Sequence, residues 1–122
     1  MKLEFKKGVT PPIRKYAQDF IKKAYKVFKW AHPVKILIVP APVVTDNYGN
    51  YGFGAFLYNG DDLTIILAGE VLPDMNYSEW LSLFKESFCH EFAHYEQYRD
   101  GKPLQERGVA IRARNLMEIL NK

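Results

Sequence analysis

Near the start of the chain, apolar residues recur at three- and four-residue steps. Ile13, Tyr16, Ala17, Phe20, Ala24, Val27 and Phe28 form one stripe, and Lys15, Lys22, Lys23, Lys26 and Lys29 fill most of the other side. This period predicts an amphipathic helix. Thr10-Pro11-Pro12 supplies its start, because threonine is a preferred cap and proline in the first turn gives up no hydrogen bond. Ahead of it, Leu3 and Phe5 alternate with charged neighbours as in a short strand. After Pro33 the pattern changes. Val34 to Val39 is a short β-branched run closed by Pro40 and Pro42, which favours a buried strand over a helix. Tyr51 to Tyr58 and Leu63 to Leu67 read as two more strands around Asn59-Gly60-Asp61-Asp62, whose Asn-Gly pair suits a hairpin turn.

The helical period returns from Ser78 to about Asp100, with Ser78 or Asn76 as cap and Gly101 and Pro103 as stop signals. Leu81, Phe84, Phe88, Phe92 and Tyr95 fall on its core side. A last helix is predicted from near Pro103 to Leu120, with Val109, Ala110, Ala113, Leu116, Met117 and Leu120 as its apolar stripe. The order is strand, helix, three strands, helix, helix. It predicts an α+β fold in which a small, mostly antiparallel sheet packs on an N-terminal helix and two C-terminal helices.

Composition narrows the class. The 122 residues are 48% hydrophobic and 25% charged, as expected for one globular domain spanning residues 1–122. No apolar run reaches the roughly 18 to 20 residues of a membrane span, and MKLEFKKGVTPP lacks the apolar core of an export signal, so no membrane association is expected. A single cysteine, Cys89, can form no internal disulfide, which fits a cytoplasmic protein stabilised by packing. The net charge of +3 is small and scattered, so a nucleic-acid partner is not expected. Oligomeric state is not encoded in any of these features.

The chemistry lies in His90-Glu91-Phe92-Ala93-His94, an HExxH sequence inside the second predicted helix. Histidines four residues apart project within roughly 40° of each other, so both imidazoles can reach one metal ion while Glu91 points close beside it. A catalytic zinc site needs a third protein ligand. Asp100 stands where a metzincin places one, but residue 97 is Gln rather than the glycine that turns that chain back, and Asp100 beside Gly101 reads as a helix end. His32 sits in the Trp30-Ala31-His32-Pro33 connection, where a histidine is more often incidental. Glu106 is the stronger candidate. On a helix begun near Pro103 it stands amid the apolar stripe, where a carboxylate left unpaired would cost several kcal/mol and a metal would satisfy it. Its other reading is a first-turn glutamate at the rim, favoured by the helix dipole. Glu96 and Glu118 project away from these faces and are expected in solvent.

HEFAH, a short turn and a Glu-bearing second helix resemble the gluzincin clan of zinc metallopeptidases, in particular the minimal single-domain minigluzincins. The resemblance covers most of the chain. It implies an active-site helix carrying HExxH, a C-terminal glutamate helix and a sheet whose edge strand holds substrate. Carried over, His90, His94 and Glu106 match the zinc ligands and Glu91 the general base. Larger members stabilise the oxyanion with a Tyr, His or Arg, for which Tyr98, Arg99 and Arg112 are available here.

Zinc-dependent hydrolysis of a peptide bond is therefore the expected function, with Glu91 activating a zinc-bound water. A peptide or protein substrate would add as a strand along Tyr51–Tyr58, where Gly52 and Gly54 either admit its backbone or relieve crowding under a helix. Small gluzincins can be latent zymogens, and the C-terminal end of the last helix is a candidate block. The alternative is a non-catalytic or regulatory module in which zinc is structural.

Overall fold

A computed structural model describes residues 2–46 and 48–122. The elements are β1 (Lys2–Phe5), α1 (Pro11–Val27), β2 (Val34–Val39), β3 (Val44–Thr45), β4 (Tyr51–Gly52), β5 (Gly54–Asn59), β6 (Asp62–Ala68), α2 (Tyr77–Arg99) and α3 (Val109–Leu120). The α+β class holds. Antiparallel pairing joins β5 to β6 through the hairpin and β3 to β4 in a separate ribbon. The pairs β1–β2 and β2–β6 run parallel, giving a four-stranded sheet of order β1-β2-β6-β5 that is mixed. β1 and β2 are parallel because α1 carries the chain back between them, and β2 and β6 because the segment through β3, β4 and β5 does so.

Burial alternates along β2 and β6, so one sheet face enters the core. Val34, Ile36 and Ile38 of β2 and Leu63, Ile65 and Leu67 of β6 join Ile13, Ala17 and Ile21 of α1 and Phe84, Phe88 and Phe92 of α2. On the opposite face, Ala55 and Ala68 form a small cluster with Val44 of β3. Tyr16 and Val27 leave the expected α1 stripe for solvent, and Ile21 takes the fully buried place. Gly60 supplies the left-handed φ of 61° at the hairpin turn.

The run predicted as one strand over Tyr51–Tyr58 is broken at Phe53, whose carbonyl accepts from the Ala68 N–H at 2.9 Å. Tyr51 and Gly52 pair instead with Thr45 and Val44. At α2 a capping box closes the N-terminus: Asn76 accepts from the Glu79 N–H at 2.8 Å, and the Glu79 carboxylate accepts from the Asn76 N–H at 3.2 Å. The helix predicted from near Pro103 starts only at Val109, because Gly108 ahead of it has a left-handed φ of 80° that a helix cannot contain. Residues 101–108 are therefore a loop, exposed throughout. No helix of the described residues is long and apolar enough to cross a membrane.

Candidate metal centre

Helical spacing stacks His90 above His94 on one side of α2, with ring centroids 5.1 Å apart. The loop of residues 101–108 brings Glu106 against them. Its Oε2 lies 3.0 Å from His90 Nε2 and its Oε1 2.9 Å from His94 Nε2. One donor atom from each of the three lies within 4.8 Å of the others, so the group could hold a metal ion. Two imidazoles and a carboxylate are also a donor set that leaves a coordination position open.

Glu106 reaches this place by a different route from the one its predicted helical face implies. It precedes α3, and its side chain is 75% exposed. Burial in an apolar stripe plays no part. Nor does the expected C-terminal glutamate helix exist as such, since the carboxylate comes from the turn before α3.

Glu91 lies beside the trio without belonging to it. It is 8% exposed, the one buried charged residue among those described. Burial pushes its carboxyl up to about 7. His94 opposes that shift, Glu106 adds to it, and the Phe56 backbone N–H favours the ionised form. The Glu91 stem also explains one of the two strand glycines. A Cβ on Gly54 would stand 3.0 Å from Leu67 Cδ2 and 3.2 Å from Glu91 Cγ, so its missing side chain lets α2 pack on the sheet. A Cβ on Gly52 would meet only the Gly54 carbonyl, at 3.5 Å.

The histidine pair and Glu106 line a cleft of about 660 Å³ between α2, the loop at Leu104–Glu106 and the segment from Tyr51 to Phe56. Because β5 is the last strand of its sheet, it turns its unpaired edge outward. Carboxylates of Asp46, Glu86, Glu91 and Glu106 line the cleft, and no Lys or Arg does so among the described residues. The Asp46 carboxylate accepts from the Tyr48 and Asn50 backbone N–H groups at 2.8 and 2.9 Å, and such bonds hold its pKa below the ordinary value. No described residue beyond Glu106 lines the cleft, so the end of α3 does not block it. Leu116 and Leu120 of that helix are core residues instead.

Other sequence candidates lie elsewhere. Asp100 caps α2 and is bonded to Arg99 at 3.0 Å. His32 contacts the Tyr95 hydroxyl through Nδ1 at 2.9 Å. Glu96, expected in solvent, is mostly covered and takes a forked pair of bonds from Arg112 at 2.8 and 2.7 Å. Glu118 is exposed, as expected. Arg99 is committed to Asp100 and the Lys29 carbonyl, and Tyr98 packs on Phe56 and Tyr58. Tyr98, Arg99 and Arg112 are absent from the cleft lining, which offers the hydroxyls of Tyr48, Tyr51, Tyr58 and Ser87. Isolated tyrosines carry no motif, so spacing could not single them out. Gln97, noted from the sequence only as a departure from the metzincin pattern, bonds both His94 and the backbone of Gln105 through its amide. No protein-family model, curated protein or solved structure matches this chain, so a functional reading rests on the residues of the site.

Proposed function

We propose that the protein is a zinc-dependent peptidase of gluzincin type. The observation that carries this reading is Glu91: a buried carboxyl, its pKa pushed up to about 7, beside three groups that could hold a metal ion and lining an open cleft. A metal used only to staple α2 to the loop has no need of such a group. His90, His94 and Glu106 would hold the ion, which when bound supplies Lewis acidity toward a carbonyl oxygen and acidifies water.

The remaining work belongs to the chain. Glu91 takes a proton from the attacking water and returns it to the departing amine, for which a carboxyl poised near neutral pH is suited. The outer edge of β5 offers backbone groups to an extended peptide. Asp46 and Glu86, the cleft carboxylates that are neither ligand nor base in this scheme, together with the cleft tyrosines favour a substrate segment with basic side chains, through charge attraction and cation–π contact.

Metal content and peptide cleavage of the wild type beside Glu91→Gln test the reading. The variant keeps every proposed ligand and should retain zinc, while cleavage falls by about 10²- to 10⁴-fold, the usual worth of general-base help. Equal cleavage by both proteins would refute it. A wild type that holds zinc and cleaves nothing in a broad peptide library would favour the structural-zinc module.

A further inference from the structure

The loop that delivers Glu106 has little hydrophobic anchoring of its own. Residues 101–108 are all exposed, Leu104 included, so hydrogen bonds contribute much of what sets its position. Gln97 makes three of them. Its backbone carbonyl accepts from the Lys102 N–H at 2.8 Å, its side-chain Nε2 donates to the Gln105 carbonyl at 3.0 Å, and its Oε1 accepts from the Gln105 N–H at 3.2 Å. The same Oε1 lies 3.0 Å from His94 Nδ1.

These contacts decide two things left open by heavy-atom positions. The side-chain contacts with Gln105 are reciprocal, one donor and one acceptor on each side, so the amide can face only one way. Reversing it would oppose N–H to N–H and oxygen to oxygen. With Oε1 fixed as acceptor, the proton between it and His94 resides on Nδ1. Nε2, which shares a proton with Glu106 Oε1 at 2.9 Å while no ion is bound, is then the nitrogen that offers its lone pair when an ion takes that proton's place.

We propose that Gln97 is a positioning residue that presets two of the three metal ligands, fixing the His94 tautomer and ring plane while pinning the backbone next to Glu106. The proposal rests on reading His90, His94 and Glu106 as ligands. Partners that orient a ligating imidazole typically affect metal affinity by about 10- to 100-fold.

Zinc affinity, measured by competition with a chromogenic chelator, and amide hydrogen exchange of the metal-free protein test it on wild type, Gln97→Leu and Gln97→Glu. Gln97→Leu should bind zinc about 10- to 100-fold more weakly and lose protection at the Gln105 amide, with its metal-free melting temperature nearly unchanged. Gln97→Glu keeps the acceptor contact to His94 but opposes a carboxylate oxygen to the Gln105 carbonyl, so its Gln105 amide should lose protection while its affinity lies between the other two. Should Gln97→Leu fail to fold, Gln97→Met replaces it with the same expected losses. Wild-type zinc affinity in a folded Leu or Met variant overturns the role of Gln97 while leaving the metal site standing. Affinity in Gln97→Glu as low as in Gln97→Leu overturns the tautomer argument. A wild type that binds no divalent metal overturns the ligand reading and this proposal together.

Discussion

Gly54 is where packing of the sheet and placement of the proposed base meet, and replacing it by alanine tests both. The added methyl carbon would stand 3.0 Å from Leu67 Cδ2, 3.2 Å from Glu91 Cγ and 3.4 Å from Ser87 Cβ. Leu67 is fully buried, so its methyl has little room to withdraw, and Ser87 Cβ is fixed to the α2 backbone. Forcing one methyl into such a site costs about 1–3 kcal/mol. Gly54 has no positive φ, so alanine also recovers about 0.4–1 kcal/mol by restricting the unfolded chain. The net expectation is a loss of about 0.5–2 kcal/mol. For a chain of this size that lowers the melting temperature by about 2–8 °C.

Two neighbours calibrate the result. Gly52→Ala meets only an ordinary contact at 3.5 Å and should be neutral or slightly stabilising. Gly69→Ala would place its Cβ 2.5 Å from Ile38 Cγ2 and 2.9 Å from the Val39 carbonyl, and backbone cannot yield as a side chain can, so its loss should be the largest. Urea unfolding of the three metal-free variants at constant m-value reads the order directly. Gly54→Ala should also displace Glu91 without touching a proposed ligand, lowering cleavage while zinc content holds. A Gly54→Ala protein as stable as wild type, or a Gly52→Ala protein less stable than Gly54→Ala, would refute this account of the glycines.

Glu106→Ala should weaken zinc binding strongly, whereas Asp100→Ala and His32→Ala should leave it unchanged; equilibrium dialysis against zinc distinguishes them, and the reverse order would move the site. Burial pushes the Cys89 thiol up to about 12, so at pH 8.5 it should react with iodoacetamide at least about 100-fold more slowly in native protein than in urea. Equal rates would show that α2 opens readily. Among peptides that differ at one position, those with Lys or Arg should be cleaved faster than those with Asp or Glu, and Glu86→Gln should narrow the ratio, with salt doing the same. A preference for acidic peptides would contradict the reading of the cleft.

Local rules account for much of this molecule. The pairing of His90 with His94 needs nothing but the pitch of a helix, and that helix is declared by its apolar period and the signals at Asn76 and Gly101. The hairpin is equally local, because Gly60 at the first central position of the Asn59–Asp62 turn supplies its positive φ. Strand order is not local. Nothing in VKILIV states that it lies between β1 and β6, parallel to both, since a buried strand shows the same apolar run whichever way its neighbours point.

Glu106 shows the division most clearly. Sequence spacing nominates it as a buried residue on a helix, and the structure brings it to the histidines as an exposed residue in a loop. What delivers it is the left-handed turn at Gly101, the break at Gly108 and the Gln97 amide holding Gln105. Hydrogen bonds between residues eight apart in an exposed loop leave no periodic trace in the chain, so only the tertiary structure could decide how the third group arrives.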